Sequence, residues 1–419
     1  MHIGIVGGGI TGLALHHFLR ERGVDSIVFE ATDRPGGVIE SDRADGCVID
    51  YGPQRTRLVP AVESLVEELG LQDRLRSAPN LPLYMYHDGA LRRVPRSVRD
   101  AVTTDLLSVR GKLRALLEPL SGPPQSGESV EEYLTRAFGH EVARRLGGPL
   151  YAGLYASDPD EMPVEHSLSR ALDRFGVGRS VLLEMLRSRL QRRNPPPAVS
   201  FDDGLETLAR ALYRRHRDAI SLGDPVIDIR CREEGYRLVT EGRMMSAEKV
   251  VLTTPAYVSA RLLAGIDSGS ARRLETLTYN PLAVVHLRAE ADLEGAGYQV
   301  ALGEDLTTRG VTWNDALFDR DGVYTCYLGG AIRPGVVEWP EDRLGRVATR
   351  EFERVTGASA RVLSVRRWPR AMPAYDDSWD ALDGVSLPDG VHLRANYESR
   401  AGIPGRIRSA QRLAASLAG

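Results

Sequence analysis

A run of six residues near the start of the sequence carries its clearest chemical signal. Gly7-Gly8-Gly9-Ile10-Thr11-Gly12 has the spacing GxGxxG, which suits the pyrophosphate of a dinucleotide. Gly7 permits a tight turn, Gly9 offers no side chain to block phosphate oxygens, and Gly12 lets a helix pack closely on a strand. Ile10 and Thr11 open that helix, whose free N–H groups and partial positive charge favour an anion. Glu30 stands 18 residues beyond Gly12, where a carboxylate accepts hydrogen bonds from the hydroxyls of an unphosphorylated adenosine ribose.

This spacing has meaning only between a strand and a helix. The required elements are legible: a strand from His2 to Val6, helical periodicity from Thr11 to Arg22, and a second strand at Ser26-Ile27-Val28-Phe29. The sequence opens directly on the first strand, so the fold is expected to begin there. NAD and FAD are equally served by this much.

Other chemistries find little support. Cys47, Cys231 and Cys326 are far apart, which predicts neither a disulfide framework nor a metal site and favours a reducing, cytoplasmic setting. The nine histidines form no recognisable metal or general-base motif. Lys112 and Lys249 are the only lysines, which leaves little room for Schiff-base chemistry. A formal net charge of −3 with 26% charged residues argues against a nucleic-acid partner. No apolar stretch reaches the roughly 18 to 20 residues of a membrane-spanning helix. Peripheral membrane contact stays open, as does the choice between monomer and homodimer.

A length of 419 residues predicts two or three lobes around a shared interior large enough for an enclosed site. From about 81 to 199 the chain turns to Arg-rich amphipathic helical patterns, broken at Pro123-Pro124 and Pro195-Pro196-Pro197. Mixed structure then resumes, alternating strands dominate from 280 to 330, and a last helix runs from Pro404 to Leu417.

The segment Glu30-Ala31-Thr32-Asp33-Arg34-Pro35-Gly36-Gly37, with Asp50-Tyr51-Gly52-Pro53-Gln54 beyond it, resembles the flavin-dependent amine oxidase superfamily. The resemblance implies FAD, with Ala31, Arg34, Gly36, Gly37, Gly52, Pro53 and Gln54 along its extended portion and Arg34 neutralising phosphate charge. It also implies that Ala401, Gly402 and Ile403, just before the last helix, meet the isoalloxazine ring.

Within the superfamily the blocks from Tyr84 to Leu91, Leu106 to Pro119, Ala152 to Pro159, Ser200 to Leu208, Gly310 to Trp313 and Trp368 to Tyr375 resemble protoporphyrinogen and coproporphyrinogen oxidases. That resemblance implies oxygen-dependent oxidation of a porphyrinogen, as in heme biosynthesis, with no catalytic side chain assigned beyond the flavin. Val226 would contact the adenine through its backbone and Trp368 would lie against the flavin. Gly153 and Tyr155 would border the tetrapyrrole cavity, with Gln54 near the reacting face. Arg92 and Arg93, with Arg96, are candidate partners for substrate carboxylates.

The chain departs from that pattern twice. Leu83 stands where many relatives have an arginine, and Ile403-Pro404-Gly405-Arg406-Ile407 lacks a common Asp-Cys pair. An amine oxidase, a carotenoid-type desaturase and a non-catalytic FAD or tetrapyrrole-binding protein remain alternatives. The expected fold is α/β. A discontinuous Rossmann-type FAD-binding domain (1-80, 198-270 and 365-419) would carry a mixed-sheet substrate domain (271-364) and an inserted helical lobe (81-197).

Overall fold

The structure, a computed structural model, describes residues 2–169, 172, 180–190, 196–398 and 402–419. Its first unit is a five-stranded parallel sheet in the order Ile220–Ser221, Asp25–Phe29, His2–Val6, Lys249–Leu252, Val391–Leu393. Alternation along these strands decides what covers each face. Ile3, Ile5, Val28 and Val251 point to a core shared with the helices Ile10–Arg20, Glu206–Arg215 and Ile403–Ala418. Val6, Phe29, Val250 and Leu252 point the other way, toward the antiparallel sheet Val226–Cys231, Tyr236–Thr240, Met244–Ala247. The helices at the two ends of the chain pack on each other, Leu13 and Ala14 sharing one core with Ile407 and Ala410. The expected α/β architecture is therefore present, assembled from segments distant in sequence.

The second unit is a seven-stranded mixed sheet in the order Ala360–Pro373, Tyr279–Ala289, Val323–Gly329, Thr308–Trp313, Gly297–Val300, Leu83–His87, Ala90–Arg93. The hairpin Leu83–Arg93 falls in the segment that the sequence assigns to the helical lobe, but it belongs to this sheet. Met85 packs toward the helical lobe and Tyr86 toward the sheet's outer core. Met85 and Tyr86, on opposite faces, are both buried, so the strand Leu83–His87 lacks the one-sided alternation that would have marked it. Ala360–Pro373 likewise crosses the expected boundary at 365. The helices proper begin at Val98–Thr103 and continue through Val109–Ala115, Val130–Phe138, Gly148–Tyr155 and Val181–Leu190. No helix among the described residues is long and apolar enough to cross a membrane.

One face of the seven-stranded sheet is closed. Tyr298, Val311, Trp313 and Cys326 are buried in a core with Leu344, Ala348 and Phe352 of the helix Glu341–Thr356. On the opposite face Leu282, Gln299, Thr312 and Tyr327 each keep part of their surface accessible, although they lie on interior strands. Accessible surface in the middle of a sheet requires a cavity against that face.

Candidate functional site

The glycine turn folds as its spacing demands. Gly7 adopts φ +112° and donates its N–H to the Phe29 carbonyl at 2.8 Å, which holds the turn at the end of the second strand. A Cβ on Gly12 would collide with the Gly7 carbonyl oxygen, so only glycine lets the helix start this close. At Gly9 an added Cβ would meet nothing within 4 Å: the backbone there borders open space. Ile10 and Thr11 begin the helix with no side-chain cap and no acidic residue in its first turn, leaving its N–H groups and dipole to an anion.

Glu30 is buried beside this turn. Its Oε2 accepts the Gly8 N–H at 2.6 Å, and its Oε1 accepts the Thr32 N–H at 2.9 Å and hydroxyl at 2.8 Å. These bonds orient the carboxylate at the strand end where a ribose would lie. Ala31 is exposed on the following bend. Two residues before Val226, Asp224 donates its N–H to the Glu30 carbonyl at 2.9 Å. Val226 thus opens its strand close to the expected adenine position.

The next segment returns over the glycine turn. Gly36 donates its N–H to the Gly8 carbonyl at 2.9 Å, and a Cβ on Gly37 would lie 3.3 Å from Gly9 Cα. Arg34 braces this loop. Its Nη2 donates to the Gly37 carbonyl at 2.7 Å and to Glu40 at 2.9 Å, and its Nη1 to the Ile39 carbonyl at 3.3 Å. Glu206 stands 4.0 Å away as a further counter-ion. The guanidinium is thus engaged by its own loop and by carboxylates.

The strand Cys47–Asp50 delivers Gly52, Pro53 and Gln54 to the open face of the large sheet. At Gly52 a side chain would collide with the Val38 carbonyl. The Tyr51 carbonyl accepts the Trp368 indole N–H at 3.1 Å, and the Asp50 carbonyl lies 3.0 Å from His286 Nε2. Arg366 spans the Tyr51 and Trp368 rings, 4.2 and 5.6 Å from their centroids, while paired with Glu40 at 2.6 Å. Trp368 is therefore fixed where the two units meet. Gln54, only 5% exposed, accepts from Asn314 Nδ2 at 2.9 Å, and its own Nε2 has no partner among the described residues.

At the carboxy-terminal helix, Gly402 has φ +115°, and a Cβ there would meet nothing within 4 Å among the described residues. Ile403 is buried and starts the helix Ile403–Ala418, which again has no side-chain cap and no acid in its first turn. Ala401 lies outside the described residues. Two uncapped helix starts, two glycines facing open space, an oriented ribose-side carboxylate and an orphaned buried amide make a set of features that fits FAD.

Gly153 and Tyr155 lie on the helix Gly148–Tyr155 of the helical lobe. A Cβ on Gly153 would run into the Gln299 amide, and the Tyr155 ring lies 4.5 Å from that of Tyr375, itself stacked on Trp379 at 4.5 Å. The proposed cations behave differently. Arg92 bonds the His87 carbonyl and pairs with Asp105 at 3.2 Å, bracing the hairpin against the helical lobe. Arg93 is exposed on the edge strand, and Arg96 donates to Asn80 at 2.7 Å. Lys112 Nζ bonds the Val102 carbonyl at 2.8 Å and Lys249 sits at the base of a parallel strand, so neither lysine is placed among these groups. Among the described residues no His, Cys, Asp and Glu cluster suits a metal. A separate depression of about 1010 Å³ is lined by Glu128, Glu132, Glu165, Asp380, Asp383 and Glu398 and would repel an anionic ligand.

Sequence reasoning missed Asn314, Gln299, Tyr327 and Arg55, which the pairing of distant strands brings to this wall. Their only sequence signal was the adjacency of Arg55 to Gln54.

Comparison with known proteins agrees with this geometry. The family model for flavin-containing amine oxidoreductases matches residues 10–418. Protoporphyrinogen oxidase 1 of Spinacia oleracea is 30% identical over 467 aligned residues, covering 99% of this chain and 83% of that protein. Coproporphyrinogen III oxidase of Bacillus subtilis is 24% identical over 89% of this chain and 87% of its own. Among solved structures, a protein from Exiguobacterium sp. 255-15, provisionally named a protoporphyrinogen oxidase, superposes with a TM-score of 0.82 at 24% identity, covering 100% of this chain and 98% of its own. Cyclohexylamine oxidase of Brevibacterium oxydans gives 0.75 at 18%, with the same coverage. The chain belongs to the flavin-containing amine oxidoreductase family, and its cofactor is FAD.

Proposed function

We propose that this protein oxidises a porphyrinogen, protoporphyrinogen IX or coproporphyrinogen III, to the corresponding porphyrin with dioxygen as the electron acceptor. The observation that carries this reading is the cavity wall itself. Leu282, Gln299, Thr312 and Tyr327 form a broad surface of mixed polarity against the cofactor unit, with Tyr155 and Gly153 at its border. Such a wall suits a broad tetrapyrrole macrocycle with an apolar body and polar periphery. The similarity to both kinds of porphyrinogen oxidase along most of the chain supports the same choice.

FAD, held by the Gly7 turn, Glu30 and the start of the Ile403 helix, would supply three successive two-electron oxidations of the porphyrinogen, each returning its electrons to one dioxygen as peroxide. The protein's part is positioning. The two uncapped helix starts would hold anionic parts of the cofactor, and the dipole at Ile403 would favour negative charge on it. Gly9 and Gly402 leave room for close approach. Trp368, pinned by Tyr51 and Arg366, holds the cofactor cleft against the substrate wall, so binding energy is used to orient the reacting carbon.

The helical lobe supports a peripheral membrane contact as well. Val109, Leu113, Leu116, Leu117 and Leu120 are all exposed, lie within twelve residues and are interleaved with Arg110, Lys112 and Arg114. An apolar surface with basic flanks matches an anionic bilayer, the phase from which protoporphyrinogen IX, the less polar of the two substrates, would be drawn.

Incubating the flavin-loaded protein with each porphyrinogen in air tests the reading. Porphyrin fluorescence should rise together with peroxide, and simple amines should give neither. A yellow protein that converts neither porphyrinogen would leave a carrier role as the better account, and oxidation of amines would favour an amine oxidase.

A further inference from the structure

Arg55 differs from the other arginines around the site. Arg34, Arg320 and Arg366 are each neutralised, by Glu40, Asp50 and Glu40 respectively. Arg55 has no hydrogen bond or ion pair among the described residues, and the charged or titratable groups that act on it are Tyr327 and Arg57. Its side chain is accessible to solvent, yet surrounding protein desolvates it enough to lower its pKa. An outer-surface arginine would be accessible without that desolvation, and a core arginine would be desolvated without being accessible. Both together describe a guanidinium that borders a cleft.

The neighbouring residues say which cleft. Arg55 follows Gln54, which Asn314 holds against the large sheet, and precedes Thr56, which pairs with Val199. Tyr327 lies on a central strand, aligned with Gly310 and Val284 across its two neighbours, on the accessible face that also carries Gln299 and Thr312. Arg309 also leaves Nη2 unbonded, but Asp158, Glu304 and Glu351 act on it electrostatically. Arg55 has no such carboxylate.

We propose that Arg55 is the carboxylate anchor of the substrate cavity: its guanidinium binds a propionate of the tetrapyrrole and so fixes which edge of the macrocycle enters first. This rests on the porphyrinogen reading above. A partly desolvated cation without a counter-ion is costly to the folded protein, and a ligand carboxylate offsets that cost with paired, charge-assisted hydrogen bonds. Removing the charge should therefore weaken ligand binding without weakening the fold.

The test is equilibrium binding by the flavin-loaded protein, followed by porphyrin absorbance, of coproporphyrin III and of its tetramethyl ester. The expected result is that Arg55→Met binds the free acid roughly 10- to 100-fold more weakly than wild type and the ester equally well, within about twofold. Arg55→Lys should recover part of the loss, since it keeps the charge without the fork. Flavin content and melting temperature of Arg55→Met should be at least those of wild type. Equal weakening of acid and ester, or no weakening of either, overturns the anchor while leaving the porphyrinogen reading intact. A wild-type protein that binds neither porphyrin and oxidises neither porphyrinogen overturns both.

Discussion

Asn314 donates from Nδ2 to Gln54 Oε1 at 2.9 Å and accepts the Thr325 hydroxyl at 3.0 Å, so one buried amide couples the cofactor cleft to a central strand of the other sheet. All three residues are buried. Replacing Asn314 with Ala leaves a buried amide and a buried hydroxyl unsatisfied. The expected cost is about 2 kcal/mol in urea unfolding, together with a raised KM for substrate. An unchanged midpoint would mean that the two units are held together elsewhere.

Gly9 and Gly12 should respond to the same substitution in opposite ways. Gly9→Val places its side chain in open space, so the protein should fold, stay soluble and elute without the visible absorbance of flavin. In Gly12→Val the Cβ meets the Gly7 carbonyl, and the expected outcome is a melting temperature well below wild type even in excess FAD. A yellow Gly9→Val protein would remove the pyrophosphate from that turn.

Three buried imidazoles set the acid limit of stability. His16, His216 and His286 all have pKa values lowered from 6.5 to about 4, in each case mainly by burial. Neighbouring histidines add to the effect at the first two, while His286 keeps a hydrogen bond to the Asp50 carbonyl. Between these values the unfolded chain binds more protons than the native one, so stability is full above about pH 6.5 and is lost as pH falls toward 4. Each imidazole contributes up to a few kcal/mol. Thermal melts across that range should show the decline, and His16→Asn should make it shallower. A melting temperature flat from pH 7 to about 4 would contradict the assignment.

The exposed leucines of the helical lobe should govern lipid binding and nothing else. Leu116→Asp combined with Leu120→Asp is expected to abolish co-sedimentation with vesicles rich in phosphatidylglycerol, leaving flavin content and turnover of detergent-dispersed substrate unchanged. Undiminished sedimentation would place the contact on another surface.

The sequence disclosed those parts of the site that depend on local geometry. The Gly7 turn, the Glu30 position and the start of the last helix each follow from a turn or a cap within a few residues, and the structure has them where they were expected. Partnership was not legible in the same way. Arg34 reads as a phosphate ligand because a charge beside two glycines does not reveal that Glu40 and Glu206 lie within its reach. Arg92 and Arg93 read as substrate cations, whereas register sends one to Asp105 and the other to the surface. Arg55, Gln299 and Tyr327 share a wall only because strands more than two hundred residues apart in sequence meet in one cleft, and no periodicity within a single strand encodes that.

The central strand His2–Val6 is flanked by Asp25–Phe29, available almost at once, and by Lys249–Leu252, which is not. Val391–Leu393 and the packed helix Ile403–Ala418 come later still. During synthesis the first two strands must therefore wait, with one side of the sheet unpaired, until residues 249–252 and then 391–393 have been made. Flavin capture becomes a late event in biogenesis, because the helix that follows the glycine turn finds its packing partner only once Ile403–Ala418 has been made.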